Sequence, residues 1–151
     1  MILDERTEFV DGVAIPGSAG TAAFGDVVDL RSLGGSGLGG LRDIGNGREI
    51  FWYVAVGDAA AGGTSVNVQL VSSDSDTLSA PTIHAQTGVI PLAQLTAGKL
   101  AHMQSVPVEG PAYKRYLGLQ AVVVGTFTDG DLTSGLTLDP HGWRAYPEGA
   151  N

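Results

Sequence analysis

Short apolar blocks recur along the chain, separated by clusters of Gly, Pro, Asn, Asp and Ser. That rhythm predicts an all-β sandwich or barrel. The blocks place strands near residues 26–33, 50–56, 65–72, 82–90, 100–106, 116–124 and 135–138. In Val66-Asn67-Val68-Gln69-Leu70 the apolar residues share one face and the amides the other, the two-residue period of a strand with one wet face. Residues 51–56 and 119–124 are apolar on both faces, so each is either central in its sheet or covered by an arm or a partner. Pro91-Leu92-Ala93-Gln94-Leu95 is the one place for a helical turn, with proline at its first position. No strand–helix–strand alternation is present. Strand order does not follow from this pattern.

Residues 1–22 read as an N-terminal arm, followed by a single β-sandwich domain over 23–151. In the arm, Ile2, Leu3, Phe9, Val10, Val13 and Ile15 are separated by polar and turn-forming residues. They cannot build a core of their own, yet are too apolar for a solvated tail. The arm is therefore expected to dock cooperatively on a neighbouring subunit or surface, and deleting residues 2–18 to leave a folded domain.

Gly35, Gly37 and Gly40 match the GxGxxG spacing of a dinucleotide-binding loop. That function needs a helix to start inside the motif, because the helix N–H groups hold the pyrophosphate. Here Gly45-Asn46-Gly47 and then a strand follow. The glycines are expected to form a mobile connection with no nucleotide site.

Composition narrows the classes. Sixteen acidic against eight basic residues give a net charge of −8, and Lys114-Arg115 is the one adjacent basic pair. Nucleic-acid binding relies on basic residues that neutralise phosphates, so it is not expected. The chain has no cysteine, hence neither disulfides nor thiolate metal sites. No apolar run approaches the ~20 residues of a membrane span, and Met1-Ile2-Leu3-Asp4-Glu5-Arg6 is unlike a secretory signal. The expectation is a soluble protein not exported by a signal peptide.

Catalytic signatures are missing. His84, His102 and His141 are far apart in sequence and form no metal-ligand pair, and no serine stands in GxSxG. Asp74-Ser75-Asp76 and Asp129-Gly130-Asp131 start like calcium loops but lack the remaining ligands, and read as turns. No enzyme activity, cofactor or metal is expected. Trp143 and Tyr146 in the tail are either interface anchors or the closure of one end of the sandwich.

Three stretches, "LRDIGNGREIFWYVAV", "SVNVQLVSSDSDTLSAPTIHAQTGVIPLAQLTAGK" and "KRYLGLQAVVVGTFTDGDLTSGLTLD", together with the opening "MILD", carry a resemblance over nearly the whole chain. The sequence resembles the capsid cement (decoration) proteins of tailed phages typified by the Bordetella phage cement protein. The resemblance implies a jelly-roll-like antiparallel β-sandwich of about eight strands on the capsid exterior, assembled in the host cytoplasm and linking neighbouring major capsid protein subunits. It fits a homo-oligomer, a homodimer first and a trimer as the alternative, with no nucleic-acid or membrane partner. Candidate capsid or self contacts are Ile2, Leu3, Phe9, Val10, Val13, Ile15, Trp143 and Tyr146. The competing class is a ligand- or carbohydrate-binding jelly roll, such as a lectin-like or phage fibre module, with Trp52, Trp143 or Tyr146 as sugar platforms and Asp74/Asp76 or Asp129/Asp131 as calcium ligands. A third is a cupin-like enzyme using His84, His102 and a carboxylate.

Overall fold

The computed structural model describes residues 7–30, 49–107 and 109–138. Within them lie nine strands: β1 (Glu8–Ala14), β2 (Gly20–Asp29), β3 (Phe51–Val56), β4 (Ser65–Ser73), β5 (Thr82–Gln86), β6 (Ile90–Pro91), β7 (Leu100–Ser105), β8 (Tyr116–Val124) and β9 (Asp131–Thr137). A 3-10 turn, Leu92–Gln94, follows Pro91. One sheet has the order β1-β9-β3-β7 and the other β2-β8-β4-β5, with β6 beside β5 on the same edge of β4, and every pairing is antiparallel. Apart from the β4–β5 hairpin, the connections between these eight longer strands cross from one sheet to the other. This is the eight-stranded jelly roll, with β6 as a short addition. The all-β sandwich expected from the strand rhythm is what the chain forms.

The inner faces supply the core. Trp52, Val54 and Val56 of β3 alternate inward, as do Val66, Val68 and Leu70 of β4 and Leu117, Leu119, Ala121 and Val123 of β8, and all are buried. Both runs read as apolar on two faces prove to be central: β3 lies between β9 and β7, and β8 between β2 and β4.

The outward sides of these central strands are partly covered by the chain itself. Tyr53, pointing outward from β3, lies across Gly135 beneath residues 7 and 8, where an added Cβ on Gly135 would come 2.9 Å from the Thr7 carbonyl oxygen and 3.2 Å from the Tyr53 hydroxyl. Burial, reinforced by Glu8 and Asp11, pushes the Tyr53 phenol up to about 12. On β8, Gly118 leaves room for Leu78 and Val27, whose methyls would lie 2.9 Å from a Cβ there. Leu78 reaches that spot from a turn tied by hydroxyls. Ser73 Oγ donates to the Ser79 carbonyl at 2.7 Å, and the Ser75 and Ser73 hydroxyls accept the Thr77 and Ser75 backbone N–H groups at 3.3 and 3.1 Å. The Asp74-Ser75-Asp76 stretch is thus the turn expected from sequence.

The arm needs correction over its described part. Residues 8–14 form edge strand β1 on β9, and residues 20–22 already belong to β2. Turn-forming residues here bend a strand rather than prevent one. The pairing shifts between Glu8 and Val10 and again between Val10 and Val13, with Gly12 at φ 57° donating its N–H to Thr133 Oγ1 at 3.0 Å. Bulges of this kind protect a sheet edge.

Candidate interaction surfaces

Of the expected contact residues, Ile2, Leu3, Trp143 and Tyr146 lie outside the described residues. Phe9, Val10 and Ile15 are 1%, 2% and 4% exposed and belong to the hydrophobic core, so they hold the domain together rather than waiting for a partner. Val13 alone of the described set is open to solvent, at 38%. The alternation of Phe9, Val10, Val13 and Ile15 is broken by the two bulges, and that hid the strand.

The candidate surface that sequence reading missed is the outer face of the β2-β8-β4-β5 sheet. Register puts Ala23, Gln120, Gln69 and Gln86 in one row across four strands, and Thr21, Val122 and Asn67 in the next. The amides join into a ladder: Gln120 Nε2 donates to Gln69 Oε1 at 2.6 Å, and Gln69 Nε2 and Asn67 Nδ2 both donate to Gln86 Oε1, at 3.2 and 3.3 Å. Cross-strand pairs of this type fix neighbouring side chains in one geometry. Val124 at one end of the face is 52% exposed and Ile83 toward the other is 46% exposed. No residue in these rows is ionisable, in a chain with a net charge of −8. The signal was present in the alternation of β4, but the partners of Asn67 and Gln69 depend on strand order.

Charges stand at one end of this face. Arg115 grips the Asp29 carboxylate through Nε and Nη2, the latter at 2.7 Å, and its guanidinium lies 4.7 Å from the centre of the Tyr116 ring. Asp29 holds the Arg115 guanidinium even more firmly protonated than usual, chiefly through their hydrogen bonds. Lys114 Nζ lies 4.0 Å from Asp74. The charged pairs thus lie at the end of the face, beyond the amide rows.

Elsewhere, an open cleft of about 330 Å³ runs between the end of β1 and the start of β9, lined in part by Ile15, Phe127, Asp129 and Asp131. Its carboxylates serve the local backbone: Asp131 Oδ1 accepts the Asp58 N–H at 3.0 Å and Asp129 Oδ1 the Gly130 N–H at 2.9 Å. Each described histidine has a side-chain partner: His84 Nε2 is 2.7 Å from Ser72 Oγ, and His102 Nε2 is 2.9 Å from Gln104 Oε1. Among the described residues no three His, Asp or Glu side chains are placed to hold a metal ion. Trp52, a candidate sugar platform, is fully buried and cannot stack on a ligand.

Fold and surface together define a jelly-roll domain with rows of uncharged side chains on the outer face of one sheet. The sequence profile of the Bbp16 family matches residues 9–136, and the chain belongs to that family, a Bordetella phage protein family. No curated protein matches the chain.

Proposed function

We propose that this protein is a capsid cement protein: it binds the outside of a phage shell through the neutral face of the β2-β8-β4-β5 sheet and links neighbouring major capsid protein subunits. Membership of a phage protein family over residues 9–136 carries the reading. The uncharged amide-lined face gives it a physical means. An acidic protein approaching a crowded surface loses least by desolvating neutral groups, and the Gln ladder leaves amide groups to pair across the contact. Each contact is small, and copies joined to one another act at high effective concentration on a repeating shell. A homodimer is the assembly this mechanism needs first, with a trimer as the alternative. In this reading the protein resides on the capsid exterior, carries no catalytic site and makes no use of nucleic acid or membrane.

The test is co-sedimentation with shells lacking the cement protein. Wild type is expected to pellet with shells, while the paired change Ala23→Glu and Val124→Glu lowers bound protein at least tenfold. Both positions are exposed, so the variant is expected to keep its melting behaviour. Undiminished binding of the variant would move the contact off this face. No binding by wild type would remove the cement role itself.

A further inference from the structure

A half-buried histidine on edge strand β5 has an unusual setting. The His84 ring of β5 stacks on Tyr113, with ring centres 3.7 Å apart and planes 14° from parallel. Tyr113 belongs to the connection between β7 and β8, and its hydroxyl donates to the Pro107 carbonyl at 2.7 Å. Burial pushes its phenol up to about 12, so it stays neutral. On the other side, His84 Nε2 meets Ser72 Oγ at 2.7 Å, and the same oxygen accepts the Lys114 backbone N–H at 2.9 Å. Ser72 is wholly buried. One hydroxyl therefore joins β4, edge strand β5 and the connection that leads into β8.

The proton count of this junction decides its behaviour. A hydroxyl has one proton to give and two lone pairs to offer. Lys114 N–H uses one lone pair, so the hydroxyl proton is satisfied when His84 Nε2 is bare and accepts it, with the ring proton on Nδ1. A protonated ring turns Nε2 into a donor. Ser72 Oγ would then accept from both sides, and its own proton would be left facing a buried site. An unpaired buried donor is costly, and the half-buried position of the ring also disfavours the imidazolium.

We propose that the Ser72–His84–Tyr113 junction is an acid-sensitive latch that fastens the β7–β8 connection to edge strand β5 while His84 is neutral and releases it when His84 gains a proton. The charged groups on the packed elements are directed elsewhere: Lys114 Nζ reaches the Ala80 carbonyl at 3.4 Å and stands 4.0 Å from Asp74, and Arg115 is paired with Asp29. Asp76 lies farther along the turn after β4 and Glu109 on the connection itself. None of these carboxylates sets the direction of the His84 shift; burial lowers it from the usual 6.5. The folded form thus binds this proton less readily than the unfolded chain. The latch's contribution is fully present above about pH 6.5 and is lost as pH falls through the lower value of the folded protein. The inference does not depend on the shell reading.

The test uses nitrogen-resolved NMR on the full chain. His84 is expected to carry its neutral-state proton on Nδ1 and to titrate below pH 6.5. Between pH 7.5 and 5, protection of the Lys114 amide, corrected for intrinsic exchange, should fall at least tenfold while the Leu119 amide in the core of β8 stays protected. His84→Phe, which keeps a ring on Tyr113 but cannot titrate, should abolish the pH dependence of Lys114 protection. Titration of His84 at or above 6.5, constant Lys114 protection in wild type, or simultaneous loss at Lys114 and Leu119 would each overturn the latch.

Discussion

Deleting residues 2–18 will unfold the domain. The deletion removes all of β1, and with it the strand that pairs with β9 from Glu8↔Gly135 to Ala14↔Asp131. It also takes Phe9, Val10 and Ile15 out of the core. Truncating a buried aromatic to alanine costs about 3–5 kcal/mol and a large aliphatic about 2–5 kcal/mol, against a total stability of roughly 5–15 kcal/mol for a domain. Phe9→Ala alone should therefore lower the urea midpoint markedly, and the full deletion should abolish the cooperative transition. The neighbouring strand is built around the same contact. Gly25 of β2 has φ 80°, and an added Cβ would overlap the Phe9 carbonyl oxygen and the Val10 side chain. Gly25→Ala should accordingly destabilise although β1 keeps its own sequence. Equilibrium unfolding followed by circular dichroism checks all three. A deleted chain that unfolds cooperatively near the wild-type midpoint would return residues 7–18 to the status of an arm.

What sequence could and could not show follows from which interactions are local. Strands β3, β4, β7 and β8 were legible because uninterrupted side-chain patterns mark them. The pattern over 82–90 predicts one strand, but the chain turns at Thr87-Gly88-Val89, with Gly88 at φ 73°, into the two-residue β6. β9 begins at Asp131, ahead of the expected residue 135, because Asp131, Thr133, Ser134 and Gly135 dilute its apolar residues. Its partners explain their presence: Gly135 makes room beneath Thr7 and beside the Tyr53 hydroxyl, and Ser134 serves Trp52. β2 starts before its expected residue 26, since Gly20-Thr21-Ala22-Ala23 has Thr21 as its one strand former and is held in place by β8. The amide face and the His84 junction were illegible for the same reason. Gln69, Gln86 and Gln120, or Ser72, His84 and Lys114, meet only once β5, β4 and β8 are neighbours.

Ser134 and Trp52 should prove strongly coupled in stability. Ser134 is the polar residue on the inward row of β9, between Leu132 and Leu136, and it is wholly buried. Its Oγ accepts the Trp52 indole N–H at 3.0 Å and donates to the Tyr53 carbonyl at 2.6 Å. The serine is thus required by the indole rather than tolerated despite it. Ser134→Ala leaves the indole donor buried without this acceptor, a penalty of about 1–3 kcal/mol. Trp52→Ala removes the largest fully buried side chain among the described residues, including its tilted contact with His102 at 5.2 Å, and should cost about 3–5 kcal/mol. Once the indole is gone, alanine at 134 strands no indole donor. The double variant should therefore lose less than the sum of the single losses, by roughly 0.5–3 kcal/mol, the range for residues in direct contact. Urea unfolding of the four proteins in one buffer measures the difference. Losses that add to within about 0.5 kcal/mol would mean that the bond contributes nothing beyond packing, and the serine would then need a different explanation.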